Sequence, residues 1–310
     1  MSDAVSRRDV VRGIAMSAAA LALPAQWSGC RRAETRSVDA DPDRERLTRW
    51  ADVLRDERLA RPEVPIGRAA ARVGELAVGT PYEAFTLEAY LRAGGSPLGT
   101  EPLTLWLTRF DCVSLVESCL AIARVADDPG DTTWEAFGRE MERMRYRGGE
   151  RKGYASRLHY FSEWIGDGER RGLVRDLGEE LGGVKDERPL RFMTEHRSSY
   201  PGLANDASFS AIAAMERSLD AQPRWVIPTE RIPSVSSRIE TGDVLAFATS
   251  IPGLDVTHSA FAYRDADGVL RVLHAPLSGG AVEVTRATLP EYVAAIRRST
   301  GILVARPARA

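Results

Sequence analysis

Apolar residues recur every three or four positions between residues 45 and 79, in LTRWADVLRDERLA and again in IGRAAARVGELAVG. That spacing predicts two amphipathic helices, the second closed by Gly79. Pro81, Gly94, Gly95 and Pro97 mark a loop region. Residues 112–126 are almost wholly apolar, with Ser114, Glu117, Ser118 and Arg124 on one narrow stripe. So small a polar face predicts a helix buried on most sides, with Asp111 as its N-cap. Residues 132–146, 156–166 and 206–220 read as further amphipathic helices. After residue 222 the pattern changes to short runs rich in Val, Ala and Phe: RWVIP, DVLAFATS, VTHSAFAY, VLRVLHA and AVEVT. The turn dipeptides Pro252-Gly253, Asp267-Gly268 and Gly279-Gly280 separate them, which predicts an antiparallel sheet. A helix over 288–299 and a strand over 301–306 close the chain. Helices first and strands later make an α+β protein.

Length and charge narrow the picture. At about 150 residues per domain, 310 residues allow one large domain or two small ones. Lys and Arg number 42 against 44 Asp and Glu, which argues against a nucleic-acid binder acting through bulk charge. The three cysteines allow at most one disulfide, so a disulfide framework is excluded. Residues 1–30 have a basic segment (Arg7, Arg8, Arg12), a short alanine-rich apolar run and then small residues. This is the layout of an export signal, and Ser6-Arg7-Arg8-Asp9-Val10-Val11-Arg12 resembles the twin-arginine type. Cys30, after Ser28-Gly29, resembles a lipoprotein processing site and would carry a lipid anchor; Trp27 departs from that pattern, and the other cleavage points lie near Ala22 and Ala25. The expected location is therefore the periplasm, free or membrane-anchored. Residues 31–45 read as a linker and 46–310 as one domain.

The chemistry must come from three cysteines and four histidines. Cys112 stands first in its helix, where the helix dipole and free N–H groups stabilise a thiolate and can hold an oxyanion. Asp111 opposes this unless its carboxylate is turned into the capping bond. A small buried hydrophobe is the other reading of Cys112, and Cys119, deep in the apolar stripe, reads as core. His258 and His274 fall on neighbouring strands. If residues 264–268 form a five-residue loop, the two lie directly opposite each other, on one buried face with Ala260, Ala262, Leu270 and Val272; a tighter turn centred on Asp267-Gly268 would shift the register by one or more residues. A cysteine at a helix start and two opposed histidines have the logic of a triad. Zinc competes as a reading, but the chain lacks HxxxH or CxxC spacing, so no metal is expected.

Several ordered stretches carry a resemblance. They are Phe110-Asp111-Cys112-Val113-Ser114-Leu115-Val116-Glu117, Gly242-Asp243 before a strand, His258, and Leu273-His274-Ala275. With them go Gly79-Thr80-Pro81-Tyr82, Thr86-Leu87-Glu88, Tyr154-Ala155-Ser156-Arg157-Leu158-His159-Tyr160-Phe161, Phe192-Met193 with His196, and Thr300-Gly301-Ile302. Over roughly residues 65–307 the chain resembles the NlpC-type papain-like cysteine hydrolases of bacterial cell walls, and most of all their N-acetylmuramoyl-L-alanine amidase-like branch. The resemblance implies a papain-like core with the nucleophile helix on an antiparallel sheet, and a triad of Cys112, His258 and His274. It implies a place for Tyr82 beside the nucleophile, near the oxyanion, unless it is only a packed aromatic at a Pro-Tyr turn. Arg157 would bind a substrate carboxylate or sugar, or else form a structural salt bridge; His159 would be packed. Phe85 stands where a smaller residue is expected. The implied activity is hydrolysis of the muramyl–L-alanine amide in peptidoglycan fragments by a monomer without a cofactor. The alternatives are an endopeptidase cutting muropeptide stems after D-glutamate, a transferase using the same acyl-enzyme, and a non-catalytic cell-wall binding module.

Overall fold

The computed structural model describes residues 41–222, 224–278 and 280–309. The expected export signal, Cys30 and the first part of the linker lie outside the described residues. The first described helix, α1 (Pro42–Asp56), starts inside the expected linker: the Asp41 side chain accepts the Asp43 N–H, and Pro42 occupies the first helical position. Trp50 and Leu54 on its inner face are buried, each contributing roughly 1.5–3 kcal/mol relative to exposure. The second helix, α2 (Ile66–Leu76), ends at Leu76 with Ala77 as its cap. Gly79 instead ends the following turn, at φ +86, and donates its N–H to the Val282 carbonyl.

The apolar stretch after Asp111 forms α3 (Cys112–Val125). Its narrow polar stripe does not face water. Glu117 and Ser118 are buried, and Glu117 accepts from Arg145 Nε at 2.8 Å. That arginine belongs to α4 (Trp134–Arg145), which packs along α3. The helix expected over 156–166 forms later, as α5 (Phe161–Arg170). Residues Tyr154–Ser156 make a single 3-10 turn, and extended Arg157 bridges to Tyr146. The next long helix, α6 (Asp206–Leu219), lies where expected. The last, α7 (Leu289–Ala295), stops short of residue 299. Arg298 takes a left-handed conformation, φ +66, and turns the chain into the final strand.

The strands are β1 (Val174–Asp176), β2 (Val184–Lys185), β3 (Trp225–Pro228), β4 (Val244–Thr249), β5 (Val256–Arg264), β6 (Leu270–His274), β7 (Glu283–Val284) and β8 (Ser299–Pro307). They form one antiparallel sheet in the order β2-β3-β8-β4-β5-β6-β7, with β1 also paired to β8. The α+β class and the antiparallel sheet are thus as expected; β1 and β2, three and two residues long, carry too little pattern to be read from sequence. One face of the sheet (Ala246, Phe261, Leu273, Leu303) packs against α1 to α5, and the other (Phe247, Ala260, Val272, Val304) against α7 and the short helix Ile232–Val235. A Cβ on Gly242 would lie 1.9 Å from the Gly67 carbonyl oxygen, so glycine there lets α2 and the entry to β4 touch backbone to backbone.

Two details of β5 place the candidate site. The β5–β6 loop spans 265–269, with Arg264 opposite Leu270 and Ala262 opposite Val272. The loop expected over 264–268 is therefore displaced by one residue. Asp265 causes this: its side chain accepts the Asp267 and Val269 N–H groups and closes the turn after Arg264, not before it. The same register sets Ala260, not His258, across from His274. On the other edge, the pairing shifts between Ala246 opposite Ser259 and Ala248 opposite Val256. Thr257 and His258 thus form a bulge in β5, a feature that re-aims side chains.

Candidate active site

Asp111 makes the expected cap in full. Its Oδ1 accepts the Ser114 N–H at 2.7 Å, and Ser114 Oγ accepts the Asp111 N–H at 2.9 Å. This fixes Cys112 as the first residue of α3. The Cys112 and Val113 N–H groups are left without intrahelical partners, as at any helix start. Ser259 of β5 and the Val113 N–H lie against the thiol and oppose its upward shift. They do not prevail. Burial, and secondly the Asp111 charge, push the thiol up to about 11. The dipole alone predicts a lowered value, and desolvation overrides it. Cys119, fully buried in α3, is core.

His258 and His274 are both buried and meet although they are not directly opposed. The register is displaced by two positions, and an even displacement keeps both on the same face. His258 Nε2 and His274 Nδ1 lie 2.8 Å apart, with the rings nearly perpendicular at 75°. Phe247 stacks on the His258 ring at 5.5 Å and holds its plane. Burial, and secondly His274, lower His258 to about 3; burial lowers His274 too, against the pull of Glu283. Both rings are therefore neutral near pH 7. His258 Nδ1, the nitrogen not used on His274, is buried and has no partner. His274 Nε2 lies 3.5 Å from Glu283 Oε1 on β7, and the Tyr292 hydroxyl of α7 lies 3.4 Å from His274 Nδ1.

Tyr82 stands beside the helix start. Its backbone bridges to Phe110, its N–H donates to the Gly280 carbonyl, and its phenol is raised by burial and then by the charges of Cys112 and Asp111. It stays protonated and able to donate. Arg157 is elsewhere engaged. It is 6% exposed, with Nη2 at 3.2 Å from Glu88 and Nη1 at 3.6 Å from Glu101, and its guanidinium lies over the Tyr154 ring. That is the salt-bridge arrangement, with both cationic edges facing carboxylates. His159 Nε2 is 2.9 Å from the Tyr154 carbonyl, and His196 Nδ1 is 2.8 Å from the Phe192 carbonyl; neither joins the Cys112 group.

Ser259, Glu283 and Tyr292 were not singled out in the sequence. Ser259 could have been found as the neighbour of a strand histidine. Glu283 sits on a two-residue edge strand and Tyr292 on a short helix, with nothing local to tie them to a histidine. Among the described residues no group of three or more His, Cys, Asp or Glu could hold a metal ion, and no helix is long and apolar enough to cross a membrane. Chemically, a thiol, a neutral imidazole with a free nitrogen and a second imidazole behind it can perform nucleophilic acyl transfer.

Comparison with known proteins supports the amidase-like part of the resemblance. The family model described as AmiA-like, N-acetylmuramoyl-L-alanine amidase-like, matches residues 72–302. A solved N-acetylmuramoyl-L-alanine amidase from Bacteroides uniformis is 30% identical, with 79% of this chain and 99% of that chain covered and a TM-score of 0.71. A Bacteroides fragilis protein, described as a xylanase candidate, is 33% identical over 75% of this chain and 98% of its own, with a TM-score of 0.68. A Legionella pneumophila protein of the DUF1460 family shares the fold at 16% identity, covering 86% of this chain and 94% of its own, with a TM-score of 0.61. The curated proteins contain no match. The protein belongs to the AmiA-like family, the N-acetylmuramoyl-L-alanine amidase-like proteins.

Proposed function

We propose that the protein is a cysteine-dependent amidase of peptidoglycan fragments, cleaving the amide between the muramyl lactyl group and L-alanine. The observation that carries this reading is the His258 ring, bonded to His274 through Nε2 while Nδ1 is buried without a partner, one residue from the Ser259 that lies against the Cys112 thiol. In this reading the core is papain-like, of the NlpC type. His258 Nδ1 takes the thiol proton as sulfur attacks the lactyl carbonyl. The oxyanion is held by the Cys112 N–H at the helix start and by the Tyr82 phenol. Collapse of the tetrahedral intermediate breaks the C–N bond, and His258 gives its proton to the leaving amine of L-alanine. A thioester remains. His258 then deprotonates a water, which attacks the thioester and releases the lactyl carboxylate and the thiol.

Mass spectrometry of products from defined muropeptides, in reducing and 1,6-anhydro forms, tests this. Muramyl sugar plus intact peptide supports the amidase. A shortened muropeptide points to the endopeptidase, transfer of the lactyl group to an added amine to the transferase, and binding without turnover to a cell-wall module. Export through residues 1–30, a lipid on Cys30 and a monomeric state belong to the same proposal. Cell fractionation, labelling with a radioactive fatty acid and light scattering test these in turn.

A further inference from the structure

The His258–His274 contact permits two proton arrangements, and only one leaves a base at His258. If His258 Nε2–H donates to His274 Nδ1, then His258 Nδ1 carries a lone pair. If His274 Nδ1–H donates to His258 Nε2, then His258 carries its proton on Nδ1 and cannot accept another. The choice is made at the far side of His274. We propose that Glu283 is a positioning residue that holds His274 in its Nε2–H form and so keeps Nδ1 of His258 free as the base. This inference rests on the reading of Cys112 and His258 as nucleophile and base.

The contact behind His274 supports it. Glu283 Oε1 lies 3.5 Å from His274 Nε2, and that nitrogen is buried without a hydrogen-bond partner. A carboxylate is acceptor-only, so it favours a proton on Nε2 and opposes a lone pair there. Tyr292 reaches His274 Nδ1 at 3.4 Å. Its hydroxyl is pushed up to about 12 by burial and then by Glu283 and Cys112, so it stays protonated. In this form the single lone pair of Nδ1 accepts the His258 Nε2–H, while the Tyr292 hydroxyl, able to donate or accept, leaves the choice to Glu283. The reverse arrangement sets a lone pair against the carboxylate at Nε2. Glu283 is well exposed, 58% at the side chain. Its contribution is thus orientation of the ring and not core packing, the role that outer carboxylates play behind ligand histidines.

The test uses the protein with labelled histidine. Long-range 1H–15N correlation spectra at pH 7.5 are expected to show His258 and His274 as Nε2–H tautomers. Glu283→Ala should introduce an Nδ1–H population at His274, and kcat on a muropeptide should fall about tenfold with KM unchanged. Glu283→Gln, whose amide oxygen still accepts, should recover most of kcat. Tyr292→Phe should leave the tautomers unchanged. Tautomers unchanged in Glu283→Ala, or an Nδ1–H His258 in the parent protein, would overturn the inference. The spectra need no turnover, so a parent protein without hydrolytic activity would count against the functional reading alone.

Discussion

The Asp111 carboxylate that caps α3, through its bond to the Ser114 N–H, is also the charge that helps keep the proton on Cys112. One side chain stabilises the helix start and restrains the sulfur beside it. The two effects are separable. Asp111→Asn retains an acceptor for Ser114 and removes the charge. Stability should change by no more than ~0.5 kcal/mol, while the rate of Cys112 alkylation at pH 8 should rise severalfold over the parent. Equal alkylation rates would show that the carboxylate does not act on the thiol.

The free protein is expected to hold a neutral thiol beside a neutral imidazole. With the thiol raised to about 11 and His258 lowered to about 3, iodoacetamide labelling of Cys112 should be slow at pH 6–7 and climb steadily into the alkaline range, since the thiolate is the reactive form. A labelling rate that is already at its plateau at pH 6 would mean a preformed thiolate–imidazolium pair.

Cys112→Ala should abolish hydrolysis and leave unfolding within about 1 kcal/mol of the parent. Residual turnover at more than a thousandth of the parent rate would remove Cys112 from the mechanism. Retained activity in a strong chelator would in turn dismiss a metal as the source of any turnover.

Acid should destabilise the fold through its buried histidines. His159 is held well below its ordinary value by burial, then by Arg157. The unfolded chain takes up a proton near pH 6.5 and the folded chain does not, so this stability is present above pH 6.5 and is lost as the pH falls below it, by up to ~1.4 kcal/mol per pH unit. Glu117, Glu163 and Asp255 are raised by burial and act with the opposite sign. A comparison of variants isolates the histidine. His159→Gln, which can still donate to the Tyr154 carbonyl, should lose ~1–2 kcal/mol less than the parent between pH 6.5 and 4.5. Parallel unfolding curves against pH would refute this.

The pair Glu117–Arg145 is 2% exposed on both sides. Glu117→Ala should cost about 3–5 kcal/mol in urea unfolding by stranding a buried guanidinium. The double change Glu117→Leu with Arg145→Met should recover most of that loss. A double variant as unstable as the single one would show that the cost lies in helix packing.

What the sequence disclosed follows the range of each interaction. Asp111 and Cys112 are adjacent, so the cap was legible. The histidine pair was legible through the alternation of strand faces, which survived a register displaced by two because the alternation has period two. The direction of the thiol shift was not legible, since desolvation depends on what folds over the sulfur. Nor was the fate of Arg157, whose partners Glu88 and Glu101 stand far back in the chain. Glu283 and Tyr292 reach His274 only because β7 and α7 follow it back to the sheet.

A sulfur that keeps its proton at rest is also a poor target. Exchange with disulfides and attack on peroxides both proceed through the thiolate, so a thiol pushed up by burial offers little of the reactive form to either at pH 7. The burial that holds the proton on Cys112 thus also shields its sulfur from oxidation at rest.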